Sequence, residues 1–222
     1  MDVSSISPTL LIASLIVAST PIMLAAIGEL VVERAGVLNL GVEGMMITGA
    51  ICGFIVAYET GSPIYGVIAS ILGGAALSLI FAILTQFFLA NQVASGLALT
   101  LFGLGFSALI GKGYTGITPP DMSSPNLGFL TEIPFLGKML FEHDYLVYLA
   151  FSIILLVSIF LRYTRQGLIL RAVGEDHSSA HALGYKVIRV RVLAILFGGG
   201  CAGLGGAYIS LIRVPQWAEG MT

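Results

Sequence analysis

RQGLILRAVGEDHSSAHALGYKVIRVR, residues 165–191, is the longest polar interruption in the second half of a very apolar chain, and the rest of the fold is arranged around it. It holds five of the ten basic residues, and Arg162 just before it makes a sixth. Within it Gly174 is followed by Glu175 and Asp176, then by small helix-compatible residues as far as Leu183, then by Gly184. Acids at a start and glycine just past an end cap a helix and complement its dipole. The pattern predicts a short helix of roughly two turns, about 12 Å long. A helix that short does not hold itself together in water. It therefore rests on something, either the ends of flanking membrane helices or a groove on a partner protein.

Composition sets the surroundings of that stretch. Of the 222 residues 57% are apolar and only 10% charged, and the mean hydropathy is +0.98. A soluble domain is about 25% charged, so this is an integral membrane protein. A net charge of -2 and a pI near 5.9 argue against a nucleic-acid partner. Cys52 and Cys201 lie far apart in apolar segments and read as small buried residues, with no disulfide frame or metal site. The opening MDVSSISPTLLIAS lacks the positive region of a signal peptide, so the first apolar run is expected to be a retained membrane helix.

About 20 apolar residues of helix cross the hydrocarbon layer. That yardstick predicts six spans, at residues 6–27, 40–58, 64–89, 93–110, 145–161 and 190–212. The expected fold is all-α: one polytopic membrane domain over residues 1–222. Pro21 inside the first span removes a helix hydrogen bond and is expected to kink it. Between the first two spans runs GELVVERAGVLNLGVEG, residues 28–44, with Glu29, Glu33, Arg34 and Glu43 among apolar neighbours. Asn39 reads as the N-cap of the second span, with Glu43 in its first turn. Residues 111–144 hold four prolines and predict a long loop outside the bilayer. The last span contains GGGCAGLGGA, residues 198–207, where Gly199, Gly203 and Gly206 would let helix backbones approach closely. A phosphate-cradling glycine loop would follow a strand, and this one lies inside an apolar span.

Lys and Arg collect in cytoplasmic loops, which places residues 163–189 inside and the acidic, proline-rich loop outside. Counting back by parity puts Arg34, Asn91 and Gln92 inside and the N-terminus outside. The chain closes on RVPQWAEGMT directly after a span with no readable stop, so truncation is one reading of its end.

Few constellations carry chemistry. His177 and His181 are four apart and would share a helix face with Glu175 and Asp176 nearby. HExxH is absent and no third ligand is placed, so partner-facing or solvent-facing histidines are favoured over a zinc pair. No GxSxG occurs and no nucleophile–base pair is readable, which disfavours an intramembrane enzyme. Ionisable groups near a span line a polar path or pair with a neighbour. Glu29, Glu33 and Glu43 fall under that rule, with Glu33 pairing to Arg34 or Arg171 as the plainer alternative. Asn39, Glu43, Asn91, Gln92 and Ser95 are the candidate passage residues, although Asn91 and Gln92 could equally punctuate two helices.

GELVVERAGVLNLGVEGMMITGA from Gly28, ANQVASGLAL from Ala90, GLILRAVGEDHSSAHALGYKVIRVRVLAI from Gly167, then GGGCAGLGGAYISL and PQWAEGMT, resemble the membrane permease subunits of bacterial ABC importers. The branch is the one serving simple sugars, nucleosides and branched-chain amino acids, and the ERAGVLNLGVEG form is most similar to the nucleoside-type permeases. The resemblance implies a multi-pass protein of the bacterial inner membrane. It implies that the RAVGE loop and its short helix dock on a cytoplasmic ATPase, through Arg171, Gly174, Glu175, Asp176, Ala180, Leu183 and Gly184. It further implies a second permease subunit, homologous or identical, an external substrate-binding lipoprotein, and no cofactor in this chain. The family continues with further membrane helices after PQWAEGMT. No GxxxxGK[ST] occurs here, so ATP hydrolysis is expected of the partner. A self-sufficient secondary carrier would show an internal repeat of its halves, and the GVEG region has no counterpart in the second half.

Overall fold

The computed structural model describes residues 8–122, 143–218 and 220–221. Its helices are α1 (Pro8–Arg34), α2 (Val42–Thr60), α3 (Pro63–Ala82), α4 (Gln92–Gly111), α5 (Tyr145–Tyr163), α6 (Arg165–Glu175), α7 (His177–Ala182) and α8 (Val187–Tyr208). Wide π-helical turns extend α3 over Ile83–Phe87 and α8 over Ile209–Arg213. Six of these helices, α1 to α5 and α8, are long and apolar enough to cross a membrane. The predicted loop at residues 111–144 begins with a 3₁₀ turn, Lys112–Tyr114, and its residues 123–142, with Pro125, Glu132, Pro134, Lys138 and Glu142, lie outside the described residues.

α8 is the central helix, packed against α1, α2 and α3. Lipid tails are as apolar as leucine, so helices in a bilayer associate through close van der Waals contact rather than hydrophobic exclusion. The glycines of α8 provide that contact. A Cβ on Gly203 would overlap the Ser70 carbonyl of α3, one on Gly199 the Ser78 side chain, and one on Gly206 the Met46 carbonyl of α2. Gly49 of α2 and Gly74 of α3 are as close to α8 from the other side. α4 leans on α2, and α5 on α1 and α6.

Two helix boundaries differ from expectation. The first span was expected to stop at residue 27, but α1 runs through Pro21 and on through Glu29 and Glu33 to Arg34. Beside Pro21, the Ser19 and Thr20 hydroxyls donate to the Ile16 carbonyl at 3.1 and 2.8 Å. α1 ends in a Schellman motif: Gly36 at φ +77°, its N–H on Glu33 O at 2.9 Å, and the Val37 N–H on Val32 O at 3.3 Å. The second correction concerns the polar stretch. Glu175 was expected to open the short helix together with Asp176, yet Asp176 alone caps the short one and Glu175, with Gly174 before it, closes a separate eleven-residue helix, α6. That helix is capped by Thr164, whose hydroxyl accepts the Gly167 N–H at 3.0 Å. The short helix α7 starts one residue later.

Candidate functional site

From Ala35 to Gly41 the chain is not helical, and it folds back along the last turns of α1: Asn39 meets Glu29, ten residues earlier. Glu29 lies about 8 Å inside the end of α1, at 1.5 Å per residue from Arg34. Non-helical backbone packed beside a membrane-spanning helix is stable where protein satisfies its polar groups. Side chains from three helices do so. The Leu38 N–H donates to Gln92 Oε1 of α4 at 2.8 Å. The Asn39 N–H donates to Glu29 Oε1 at 3.1 Å, and the Asn39 side-chain amide reaches Glu29 Oε2 at 3.4 Å. The Leu40 carbonyl accepts from the Thr100 hydroxyl at 3.1 Å, and the Ala35 carbonyl from Arg191 Nε of α8 at 3.1 Å. Within the segment, Asn39 Oδ1 accepts the Gly41 N–H at 2.9 Å.

Asn39 is therefore not the N-cap of α2. That position is Gly41, without a side-chain cap, and Asn39 forms an Asx turn before it. The pairing with Glu29 draws Asn39 inward, and it is 2% exposed. Gly96 of α4 allows the segment to lie this close, since a Cβ there would stand 2.8 Å from the Leu40 nitrogen.

The passage candidates separate by place. Asn39 and Gln92 are brought to adjacent residues of one segment. Ser95 is part-buried one turn further along α4. Asn91 is exposed and caps α4, its Oδ1 accepting the Ala94 N–H at 3.1 Å. Glu43 stands exposed on the first turn of α2. Glu29 was singled out with Glu33 and Glu43 as an ionisable group near a span, although it was not carried into the passage set; Thr100 and Arg191 escaped the sequence reading. A carboxylate and a guanidinium within apolar spans were the available signal for Glu29 and Arg191, whereas nothing marked Thr100.

Of the coupling candidates, Gly174 lies against the same segment. A Cβ on Gly174 would overlap the Arg34 carbonyl, and a Cβ on Gly36 would stand 3.0 Å from the Gly174 Cα. α6 thus touches the end of α1 backbone to backbone. Beside this contact Glu33, Arg34, Arg171 and Glu175 line a polar cleft of about 200 Å³. Asp176 caps α7, its Oδ1 accepting from Ser178 N and Ser179 N at 2.9 and 3.2 Å, while the Ser179 hydroxyl donates to Oδ2 at 2.5 Å. These bonds, led by the Ser179 hydroxyl, hold the Asp176 carboxyl below the usual range. α7 closes in a second Schellman motif, with Gly184 at φ +85° and Tyr185 N–H on Ala180 O at 3.1 Å. Ala180 is buried beneath the helix, while Leu183, 76% exposed, and both His177 and His181 point away from the protein. Among the described residues no cluster of His, Cys, Asp or Glu could hold a metal ion.

A bundle of six helices long and apolar enough to cross a membrane, with a non-helical connection held between α1, α4 and α8 and a short capped helix at one end, defines a multi-pass membrane protein of the transport type. Residues 11–222 match the family of branched-chain amino acid transport system permease components, and the chain belongs to that family. It is 42% identical to a putative glucose ABC transporter permease of Haloferax volcanii, over 92% of this chain and 64% of that protein. It is 33% identical to a guanosine ABC transporter permease of Bacillus subtilis, over 96% and 71% of the two. A nucleoside ABC transporter permease of Lactococcus lactis is 30% identical, over 89% and 66%. The chain thus spans about two thirds of the length of the curated relatives it matches. No solved structure matches it.

Proposed function

We propose that this chain is the membrane permease subunit of an ATP-driven ABC importer, admitting nucleosides by alternating access. It hydrolyses no ATP itself. A separate ATPase docks on residues 171–184 from the cytoplasmic side, a second permease chain completes the passage, and an external binding lipoprotein delivers substrate. Residues 1–222 act as one membrane domain in the cytoplasmic membrane, with the acidic loop outside. The observation that carries this reading is the backbone contact of Gly174 with Arg34 and Gly36. Through it a partner held on α7 would press directly on the segment that bears Asn39 and meets Gln92. A rigid contact of this kind transmits displacement rather than absorbing it.

A second reading keeps the mechanism and changes the cargo to a simple sugar, favoured by the 42% identity with a putative glucose permease. Both cargoes are polyhydroxylated and would be held by neutral hydrogen-bonding groups such as those of Asn39 and Gln92. The test is uptake of labelled guanosine by vesicles holding this chain with its neighbouring ATPase, second permease and binding protein. Saturable, ATP-dependent uptake that excess glucose or ribose leaves unchanged is the expected result. Competition by sugar moves the assignment to the sugar branch, and uptake without ATP or an ATPase overturns the importer reading.

A further inference from the structure

We infer that Arg191 is a positioning residue for transport: by holding the Ala35 carbonyl it ties the unwound segment 35–41 to α8, so that movement at α6 and α7 reaches Asn39. This rests on the ATPase-docking reading above. Two elements grip the start of the segment. Gly174 of α6 lies against Arg34 and Gly36, and Arg191 Nε donates to Ala35 O at 3.1 Å. The Arg191 guanidinium also covers Gly36, with one terminal nitrogen 3.2 Å from where a Cβ would stand. The far part of the segment is held elsewhere, by Glu29 on α1 and by Gln92 and Thr100 on α4.

Residues 35–41 are therefore a strap strung between two groups of helices. Helices move as rigid bodies, and the φ/ψ change is absorbed by short non-helical connections between them. A guanidinium part-way inside an apolar span is costly to keep unless it has a specific task. Arg189, two residues earlier, is exposed, whereas Arg191 is turned inward. Its donation spans 156 positions of sequence to a backbone carbonyl, an acceptor that no change of the Ala35 side chain would remove. Without it, the strap keeps its anchors on α1 and α4 but loses its link to α8. Displacement of α6 would then reach residues 35 and 36 through the Gly174 contact alone, without the tie to α8 that draws the segment along.

The test uses the full chain with its ATPase in nanodiscs, with Cys52 and Cys201 replaced by alanine and a single reporter at Leu183→Cys or Leu38→Cys. Leu183 is 76% and Leu38 43% exposed on the chain taken alone, which makes both of them open positions for a maleimide reporter. Protection of Leu183→Cys on adding the ATPase reports docking. The rate at Leu38→Cys, measured without nucleotide and with ATP plus vanadate, reports the strap. The expected result is a change of at least about fivefold at Leu38→Cys, the lower end of ordinary coupling between sites. Arg191→Met abolishes that change while Leu183→Cys stays protected, and Arg191→Lys, which retains a donor, restores part of it. Should Arg191→Met fail to assemble, Arg191→Gln takes its place. An unchanged nucleotide response in an assembled Arg191→Met or Arg191→Gln complex overturns the inference while docking stands. A Leu38→Cys rate indifferent to nucleotide in the parent protein does the same. If Leu183→Cys is never protected, docking fails and the inference falls with it.

Discussion

Asn39 presents both of its donors to one carboxylate: its backbone N–H lies 3.1 Å from Glu29 Oε1 and its side-chain nitrogen 3.4 Å from Oε2. The pair closes a ten-residue reversal in which α1 ends, the chain turns back toward it, and α2 begins at Val42. Everything else that touches residues 35–41 depends on this reversal being held.

Glu29→Ala leaves the buried Asn39 N–H without an acceptor, a cost of about 1–3 kcal/mol. Glu29→Gln keeps one oxygen for that bond and is expected to lose less. Thermal unfolding in detergent should therefore rank the parent above Glu29→Gln and Glu29→Gln above Glu29→Ala. Equal melting temperatures for the two variants would mean that the backbone bond carries no weight.

Glycines in this chain differ sharply in what a methyl group would meet. A side chain at Gly203 would strike the Ser70 carbonyl, so Gly203→Val forces α3 and α8 apart at about 3 kcal/mol or more. Nothing lies within 4 Å of a Cβ at Gly105 on α4, where Gly105→Ala is expected to be neutral or stabilising by up to about 1 kcal/mol. Yield of monodisperse protein by size-exclusion chromatography separates them: Gly203→Val collapses it and Gly105→Ala leaves it unchanged.

Glu175 and Leu183 are exposed at the end where the ATPase is proposed to dock. Glu175→Lys and Leu183→Asp should reduce ATP-driven uptake at least about tenfold, since a reversed charge or a desolvated carboxylate at such an interface costs a few kcal/mol. Membrane insertion and melting temperature should not change, because neither side chain is buried. Uptake at the parent rate in both variants would remove α7 from the docking surface.

Asp176 caps α7 most strongly as a carboxylate, with acceptors on both of its oxygens. Its carboxyl in the folded protein titrates below the usual 3.8, so the cap contributes fully above pH 4 and is lost as pH falls through the lowered folded value. A spin label at His181→Cys should become more mobile as the pH falls through that lowered value in the parent chain. Asp176→Asn, whose single oxygen keeps the two backbone bonds without titrating but gives up the acceptor for the Ser179 hydroxyl, should give a flat profile over that range. A parent profile as flat as that of Asp176→Asn would separate the cap from the charge.

What the sequence determined by itself is the membrane class, the six spans to within a few residues apart from the end of α1, and the acid-to-glycine frame of α7. Each is local: hydropathy over about 20 residues decides whether a helix can cross lipid, and caps act within one turn. Asp176 and Gly184 were legible for that reason, and α6 was not, because its apolar and basic residues suit a solvated loop and an interfacial helix alike. Only the tertiary structure decided that α1 continues past Glu29, that Asn39 turns inward rather than capping α2, and that Arg191 reaches back 156 positions to Ala35. These pairings require α1, α4, α6 and α8 to meet around one segment. Which helices meet is set by the close approach of glycines such as Gly36, Gly96, Gly174 and Gly203, whose complementarity no periodicity along a single helix encodes.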